Sequence, residues 1–278
     1  MNSDRMNNAI SSRCYLIATP RSGAALLKSM LAANPSCKVV DESNFYVNLL
    51  CHRSRYRKLA RMASFLHDAD YAKFMETHIG SQWQDKYGKA PLIAQRIKNY
   101  LNVMDMRCNE EAKTCWVEHS AKHFSKIQTI QRYHPDARYL YLVRDKAQCI
   151  LSIWKAVHSF YTYAEWQPYI GWPMELFSKM LDDYSRTIEK TANMSNSHVV
   201  SYEELIDNPE PVLQKISTFL GVEYSNSMIT DHVTAAKTRG YSQMPWNTRI
   251  LDPVRMVEHE VSDILVPKIY QTQFQSLL

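Results

Sequence analysis

Cys14-Tyr15-Leu16-Ile17-Ala18-Thr19-Pro20-Arg21-Ser22-Gly23-Ala24-Ala25-Leu26-Leu27 changes character twice within one short stretch. Residues 14–18 form an unbroken apolar run, with the length of a strand buried on both faces. Residues 19–23 carry a proline, an arginine and a glycine, the chemistry of a tight turn. From Ala24 the apolar side chains of Leu26, Leu27, Met30 and Leu31 repeat as on one side of a helix. A strand that passes through a basic turn into a helix presents the helix's first N–H groups to whatever lies beyond the strand end. Arg21 adds positive charge there, so the turn reads as an anion cradle.

Two further runs read as buried strands: Arg138-Tyr139-Leu140-Tyr141-Leu142-Val143 and His198-Val199-Val200-Ser201-Tyr202. Between and after the three strands, helical patterns are expected over Ala24–Ala33, Phe45–Phe65, Tyr71–Tyr87, Phe124–His134, Ala147–Ser159, Met174–Asn193 and Pro211–Leu220. Strands separated by helices predict an α/β fold, a central parallel sheet with helices on both sides in three layers. In such sheets ligands sit beyond the carboxyl ends of the strands. With no repeat, low-complexity tract or Gly/Ser linker, one domain over residues 1–278 is the simplest partition, with residues 1–12 expected to be flexible.

The composition narrows the chemistry. Apolar residues are 45% and charged residues 22%, a globular balance that excludes disorder and collagen. The six glycines fall in neither G-x-G-x-x-G nor G-x-S-x-G, against a dinucleotide site and a nucleophile-elbow hydrolase. The six scattered cysteines contain no C-x-x-C and read as reduced, buried thiols. A net charge of +5 suits anionic ligands and is too weak to argue for nucleic acid. No run reaches the length of a membrane span and the N-terminus has no secretory apolar core, so a cytoplasmic location is expected. Peripheral membrane contact and a homodimer are left open.

The turn after residue 18 also fails the nucleoside-triphosphate pattern G-x-x-x-x-G-K-[ST]. Ala24 stands where the lysine belongs and Ala25 has no hydroxyl for Mg²⁺. That disfavours the alternative of a P-loop small-molecule kinase and favours a phosphate-type ligand held without metal.

Ala18-Thr19-Pro20-Arg21-Ser22-Gly23, with Leu26-Leu27 and Asn34-Pro35 behind it, resembles the 5′-phosphosulfate loop of sulfotransferases that use 3′-phosphoadenosine 5′-phosphosulfate (PAPS). The protein-tyrosine and bacterial branch is the most similar. Arg144-Asp145 followed by Ser152 resembles the family's 3′-phosphate site, and Tyr202-Glu203-Glu204-Leu205 with Phe219-Leu220-Gly221 resembles its Y-E-x-L…F-L-G segment. The resemblance runs from residue 14 to about 222 through three ordered motifs. It implies PAPS as donor and adenosine 3′,5′-bisphosphate (PAP) as product. It further implies donor contacts from Arg21, Ser22, Gly23, Ala24, Ala25 and Leu26, from Arg144 and Ser152, from Tyr202 near the adenine, and from Arg249 in a closing loop.

In-line sulfuryl transfer needs cations at the bridging oxygen, N–H donors at the sulfuryl oxygens and a base for the acceptor proton. Arg21 and the backbone of residues 22–26 are expected to supply the first two. Two residues compete to be the base. Glu42, with Asp41 beside it, follows the apolar run Cys37–Val40 and matches the family's acidic base. His119 follows the strand-like run Cys115–Val117, where an imidazole could act as a base or, protonated, as a cationic clamp. His119 and His123 would share one face of a helix as metal ligands, but no third ligand except Glu118 is suggested nearby and the chemistry does not need metal, so none is expected. The family's paired hydroxyls after the loop glycine are Ala24 and Ala25 here, with Ser22 the candidate to compensate. A PAP- or PAPS-binding protein with little activity is therefore a second alternative. The aromatic stretch His158–Pro173 suits a small-molecule, saccharide or lipid acceptor, and the basic run Arg53–Arg61 reads as a solvated helical face.

Overall fold

A computed structural model of the chain describes residues 10–40, 43–50, 60–63, 67–80, 83–88, 90–121, 123–160, 172–241 and 254. Among them five parallel strands build one sheet: β1 (Ser12–Ala18), β2 (Cys37–Val40), β3 (Cys115–His119), β4 (Arg138–Val143) and β5 (Ser197–Ser201). Their spatial order is β2-β3-β1-β4-β5, with β1 in the middle. The three strands expected from the sequence are present. The runs Cys37–Val40 and Cys115–His119 complete the sheet as β2 and β3.

Alternation along the strands divides the core in two. Cys14, Leu16 and Ala18 of β1 face Val39, Val117, Leu140 and Val200 on one side of the sheet. Against them pack Leu27, Met30 and Leu31 of α1 (Ala24–Ala33) and Leu213, Ile216 and Leu220 of α10 (Pro209–Leu220). Tyr15, Ile17, Trp116, Tyr139 and Tyr141 point the other way. They are covered by α2 (Phe45–Leu49), α3 (His67–Ile79), α4 (Trp83–Tyr87) and α5 (Ile93–Glu110). A 3₁₀ turn (His123–Lys126) and α6 (Ile127–Tyr133) lead from β3 into β4. Then α7 (Lys146–Phe160) and α8 (Trp172–Thr191) connect β4 to β5. After β5 come α9 (Tyr202–Asp207), α10, α11 (Ser227–Thr230) and α12 (His232–Thr238).

Several expected helices differ. Of the helix expected over 45–65, the described part ends at Leu49, and residues 60–63 form a turn in which Met62 bridges to Leu92. The helix expected over 71–87 starts at His67 and is broken at Gly80, whose φ is +89°. Helix α5 was not expected, although Ile93, Ile97, Tyr100, Met104 and Cys108 carry the helical repeat and are all buried. Tyr202 belongs to the first turn of α9 and not to β5.

This topology positions the site. Helix α1 leaves β1 toward one face. Helix α7 leaves the neighbouring β4 and packs on α8, whose Tyr184 belongs to the core of the other face. A crevice therefore opens at the carboxyl ends of β1 and β4. The Tyr184 hydroxyl shares its proton between the carbonyl oxygens of Ile17 (2.7 Å) and Leu142 (2.9 Å), tying the two strand ends together beneath it.

Candidate functional site

The turn after β1 is held by its own atoms. The Ser22 hydroxyl donates to the Thr19 carbonyl at 2.6 Å, and Arg21 (φ +68°) and Gly23 (φ +96°) both adopt left-handed backbone. Gly23 caps α1 with no side-chain acceptor, and Leu27 N–H makes the first helical bond to the Gly23 carbonyl. The amides of Gly23 through Leu26 therefore precede the helical ladder and point out of its start, as a phosphate or sulfuryl oxygen requires.

The side chains around the turn converge on it. Arg21 Nε donates to Ser152 Oγ at 3.0 Å, and Arg144 Nη1 donates to the Arg21 carbonyl at 2.9 Å. The Arg144 guanidinium lies 4.4 Å over the Tyr202 ring. That ring closes on Gly23 so tightly that a Cβ there would fall 2.2 Å from Tyr202 Cδ2. Glu203 explains why an acid follows the tyrosine: Asp145 N–H donates to its Oε1 (3.0 Å) and Ser201 Oγ to its Oε2 (2.8 Å), joining the exits of β4 and β5. Arg21, Gly23, Arg144, Ser152 and Tyr202 are thus one cluster.

His119 stands at the end of β3, opposite Leu16 of β1 in register and 3% exposed. Its Nδ1 donates to the Leu16 carbonyl at 2.9 Å, which leaves Nε2 as the lone-pair nitrogen of a neutral ring. Burial, and then the charge of Lys28, push its pKa down to about 4. Without a ligand the ring is held as a neutral acceptor at ordinary pH. His119 and His123 do not share a helix face. One ends a strand, and the other sits in a 3₁₀ turn with Nδ1 3.0 Å from Glu118 Oε2.

The family model described as the sulfotransferase family matches residues 15–226, which include all of these segments. The chain belongs to the sulfotransferase family. It is 24% identical over 222 residues to a putative protein-tyrosine sulfotransferase of Caenorhabditis briggsae, covering 78% of this chain and 68% of that protein. It is 23% identical over 234 residues to protein-tyrosine sulfotransferase 2 of Gallus gallus, covering 82% of this chain and 56% of that one. Among solved structures, the sulfotransferase domain of the Synechococcus olefin synthase aligns over all of this chain and 97% of its own length, at 19% identity and TM-score 0.55. A mouse sulfotransferase complexed with PAP aligns over 97% of this chain and 83% of its own, at 14% identity and TM-score 0.51.

Within this sulfotransferase some expectations shift. The Arg21 guanidinium is turned to Ser152, so its charge joins the Arg144 end of the cluster and does not lie along the helix start. Ser22 does not replace the hydroxyls missing at Ala24 and Ala25, because its proton goes to the Thr19 carbonyl. Asp41, Glu42 and Arg249 lie outside the described residues, as do residues 53–59 of the basic run and 161–171 of the aromatic stretch.

Two features escaped the sequence reading. Glu118 is fully buried and receives the hydroxyls of Ser43 (2.9 Å) and Ser120 (2.6 Å) on Oε1. Burial works to raise its pKa, yet His123 and the two hydroxyls hold it below the usual carboxylate range. Lys28, in the second turn of α1, is 6% exposed with Nζ 4.5 Å over the Tyr241 ring. A lysine inside an apolar helical repeat reads as a solvated position, and nothing in the sequence says that Tyr241 covers it.

The contact of Gly23 with Tyr202 gives a direct expectation. Gly23→Ala must strain a left-handed residue, at about 1–2 kcal/mol, and displace the ring that carries Arg144. Urea unfolding should show that loss of stability, and calorimetry should show PAP affinity reduced by roughly tenfold or more. An alanine variant that binds PAP as tightly as the wild type would mean that the ring does not hold the loop for the ligand.

Proposed function

We propose that this protein moves the sulfuryl group of PAPS to a hydroxyl, or less favourably an amine, of a small-molecule, saccharide or lipid acceptor. The observation that carries the reading is the single cluster of Arg21, Gly23, Arg144, Ser152 and Tyr202 beside an uncapped helix start. Those groups fit a nucleotide with phosphate at both ends: guanidinium and hydroxyl donors for one, amides for the other. PAPS supplies the sulfuryl group, already activated by its phosphate.

The chain's own residues then have three tasks. The amides of residues 23–26 hold the oxygens at the reacting end, and Arg144 with Ser152 and Arg21 fixes the other end. His119 Nε2, or Glu42, takes the proton of the acceptor hydroxyl as its oxygen bonds to sulfur and the sulfur–phosphate oxygen bond breaks, leaving PAP. The relatives named protein-tyrosine sulfotransferases put a tyrosine phenol on the acceptor panel beside sugars and lipids.

Melting shifts separate this reading from its rivals. PAP should raise the melting temperature markedly, and ATP with Mg²⁺ should raise it little. The reverse order would make the protein a P-loop kinase. Strong PAP binding with no transfer of labelled sulfuryl to any acceptor would favour the non-catalytic reading that the alanine pair suggests.

A further inference from the structure

The alanine pair at 24 and 25 removes two hydroxyl donors at the reacting end of the donor site, and Ser22 does not restore them. Another group close by must meet that charge if the amides do not act alone. The candidates are few among the described residues. Cys149 lies under the loop with its sulfur 3.9 Å from the Arg21 carbonyl, but burial pushes that thiol up to about 12 and leaves it a poor donor of charge. Glu118 and His123 are directed to the opposite face of the sheet, the side of Trp116 and Tyr46. Lys28 is different.

Lys28 lies one helical turn after Ala24, on the same strip of α1. It is 6% exposed, which is unusual for an ammonium. The Tyr241 ring beneath Nζ also packs on Ala25 and Leu26, so the ammonium and the hydroxyl-less Ala25 share one neighbour. On the sheet, Cys115 and Val117 of β3 belong to the core that α1 covers. His119, two residues further along the strand, therefore projects to that same side. The depressed pKa of His119, in which Lys28 is the leading charge, agrees with this placement. The ammonium thus lies on the α1 side of the site, bounded by the helix start and His119, away from the Arg144–Ser152 end.

We propose that Lys28 is a further donor-binding residue: its buried ammonium meets the sulfuryl end of PAPS in place of the hydroxyls absent at Ala24 and Ala25. The inference rests on the PAPS-binding reading above. An ammonium is a compact charge with three N–H donors on a flexible stem, suited to a sulfonate oxygen approached from the side. Arg21 and Arg144 at one end of the site and Lys28 at the other are like charges, so a ligand that is anionic at both ends gains from all of them at once.

The test compares two ligands that differ at that end alone. Lys28→Met keeps the volume and the apolar stem and removes the charge. Calorimetry should show PAPS affinity reduced by roughly tenfold to a hundredfold, the range of a lost charge-assisted bond, with PAP affected less. Lys28→Arg should recover most of the PAPS affinity. His119 followed by NMR should titrate at higher pH in Lys28→Met than in the wild type, a change that packing alone would not produce. Unchanged PAPS affinity, or equal losses for PAP and PAPS, in a folded Lys28→Met overturns the inference. If that variant folds poorly, Lys28→Gln in the same pair of titrations decides by the same criteria. A wild-type protein that binds neither ligand would instead remove the donor-site reading itself, before Lys28 is in question.

Discussion

Replacing Arg144 by alanine should weaken PAP binding by about a hundredfold or more, equivalent to roughly 2.7 kcal/mol. Two effects add. A hydrogen bond to a charged group contributes about 1.5–3 kcal/mol, and a phosphate left without its guanidinium in a partly closed site adds a desolvation penalty. Arg144 also braces the pocket: Nη1 holds the Arg21 carbonyl, and its plane covers Tyr202, whose ring holds Gly23. The variant therefore loses a ligand contact and loosens the loop that presents the amides. Lysine should recover only part of the loss, since it can neither stack on Tyr202 as a plane nor make two parallel bonds. Ser152→Ala should cost less, because Arg21 Nε would lose only a neutral partner. Calorimetry with PAP checks all three. An Arg144→Ala protein with wild-type affinity would show that the ligand is gripped elsewhere.

How far the sequence reaches depends on the physics that each element records locally. Strands β1 and β4 were legible because both of their faces are covered, which forces near-continuous apolar runs. Strand β5 lies at the sheet edge with Val199 exposed, and was legible from its β-branched pair Val199-Val200. Strands β2 and β3 span only Cys37–Val40 and Cys115–His119, and the buried Glu118 interrupts the second, so they registered as strand-like fragments. Helix α5 had a readable repeat that its many polar residues obscured. The break at Gly80 depends on a positive φ that a short helical pattern does not reveal.

The donor site was legible because its three parts each follow a strand, and a parallel sheet brings strand ends together whatever the loops do. What the sequence could not supply is direction. Ser22 could serve the ligand or the turn, and a 2.6 Å bond to Thr19 assigns it to the turn. Arg21 could point along α1 or toward α7, and its bond to Ser152 takes it to α7. Lys28 and Glu118 read as exposed or incidental until their neighbours, 213 residues away for Tyr241 and 75 away for Ser43, are folded against them.

His119→Ala should lower kcat by about 10²–10⁴-fold, the contribution of a positioned general base, while PAP affinity stays close to the wild-type value. The pH dependence distinguishes a base from a cation. In the free protein the ring titrates near 4, so the neutral form that can accept a proton is present at higher pH and is lost as pH falls through that value. A bound polyanion favours the imidazolium and must raise this pKa. The acid limb of kcat at saturating donor should therefore lie above the free-protein titration followed by NMR. Basicity would then rise only once the donor is in place, when proton abstraction is useful. A clamp that had to be protonated would show the opposite profile, with activity falling as pH rises through the same limb. Glu42→Gln in parallel assigns the remaining share: a large loss there with full activity in His119→Ala would make the carboxylate the base. Full rates in both variants would place the proton acceptor elsewhere in the site.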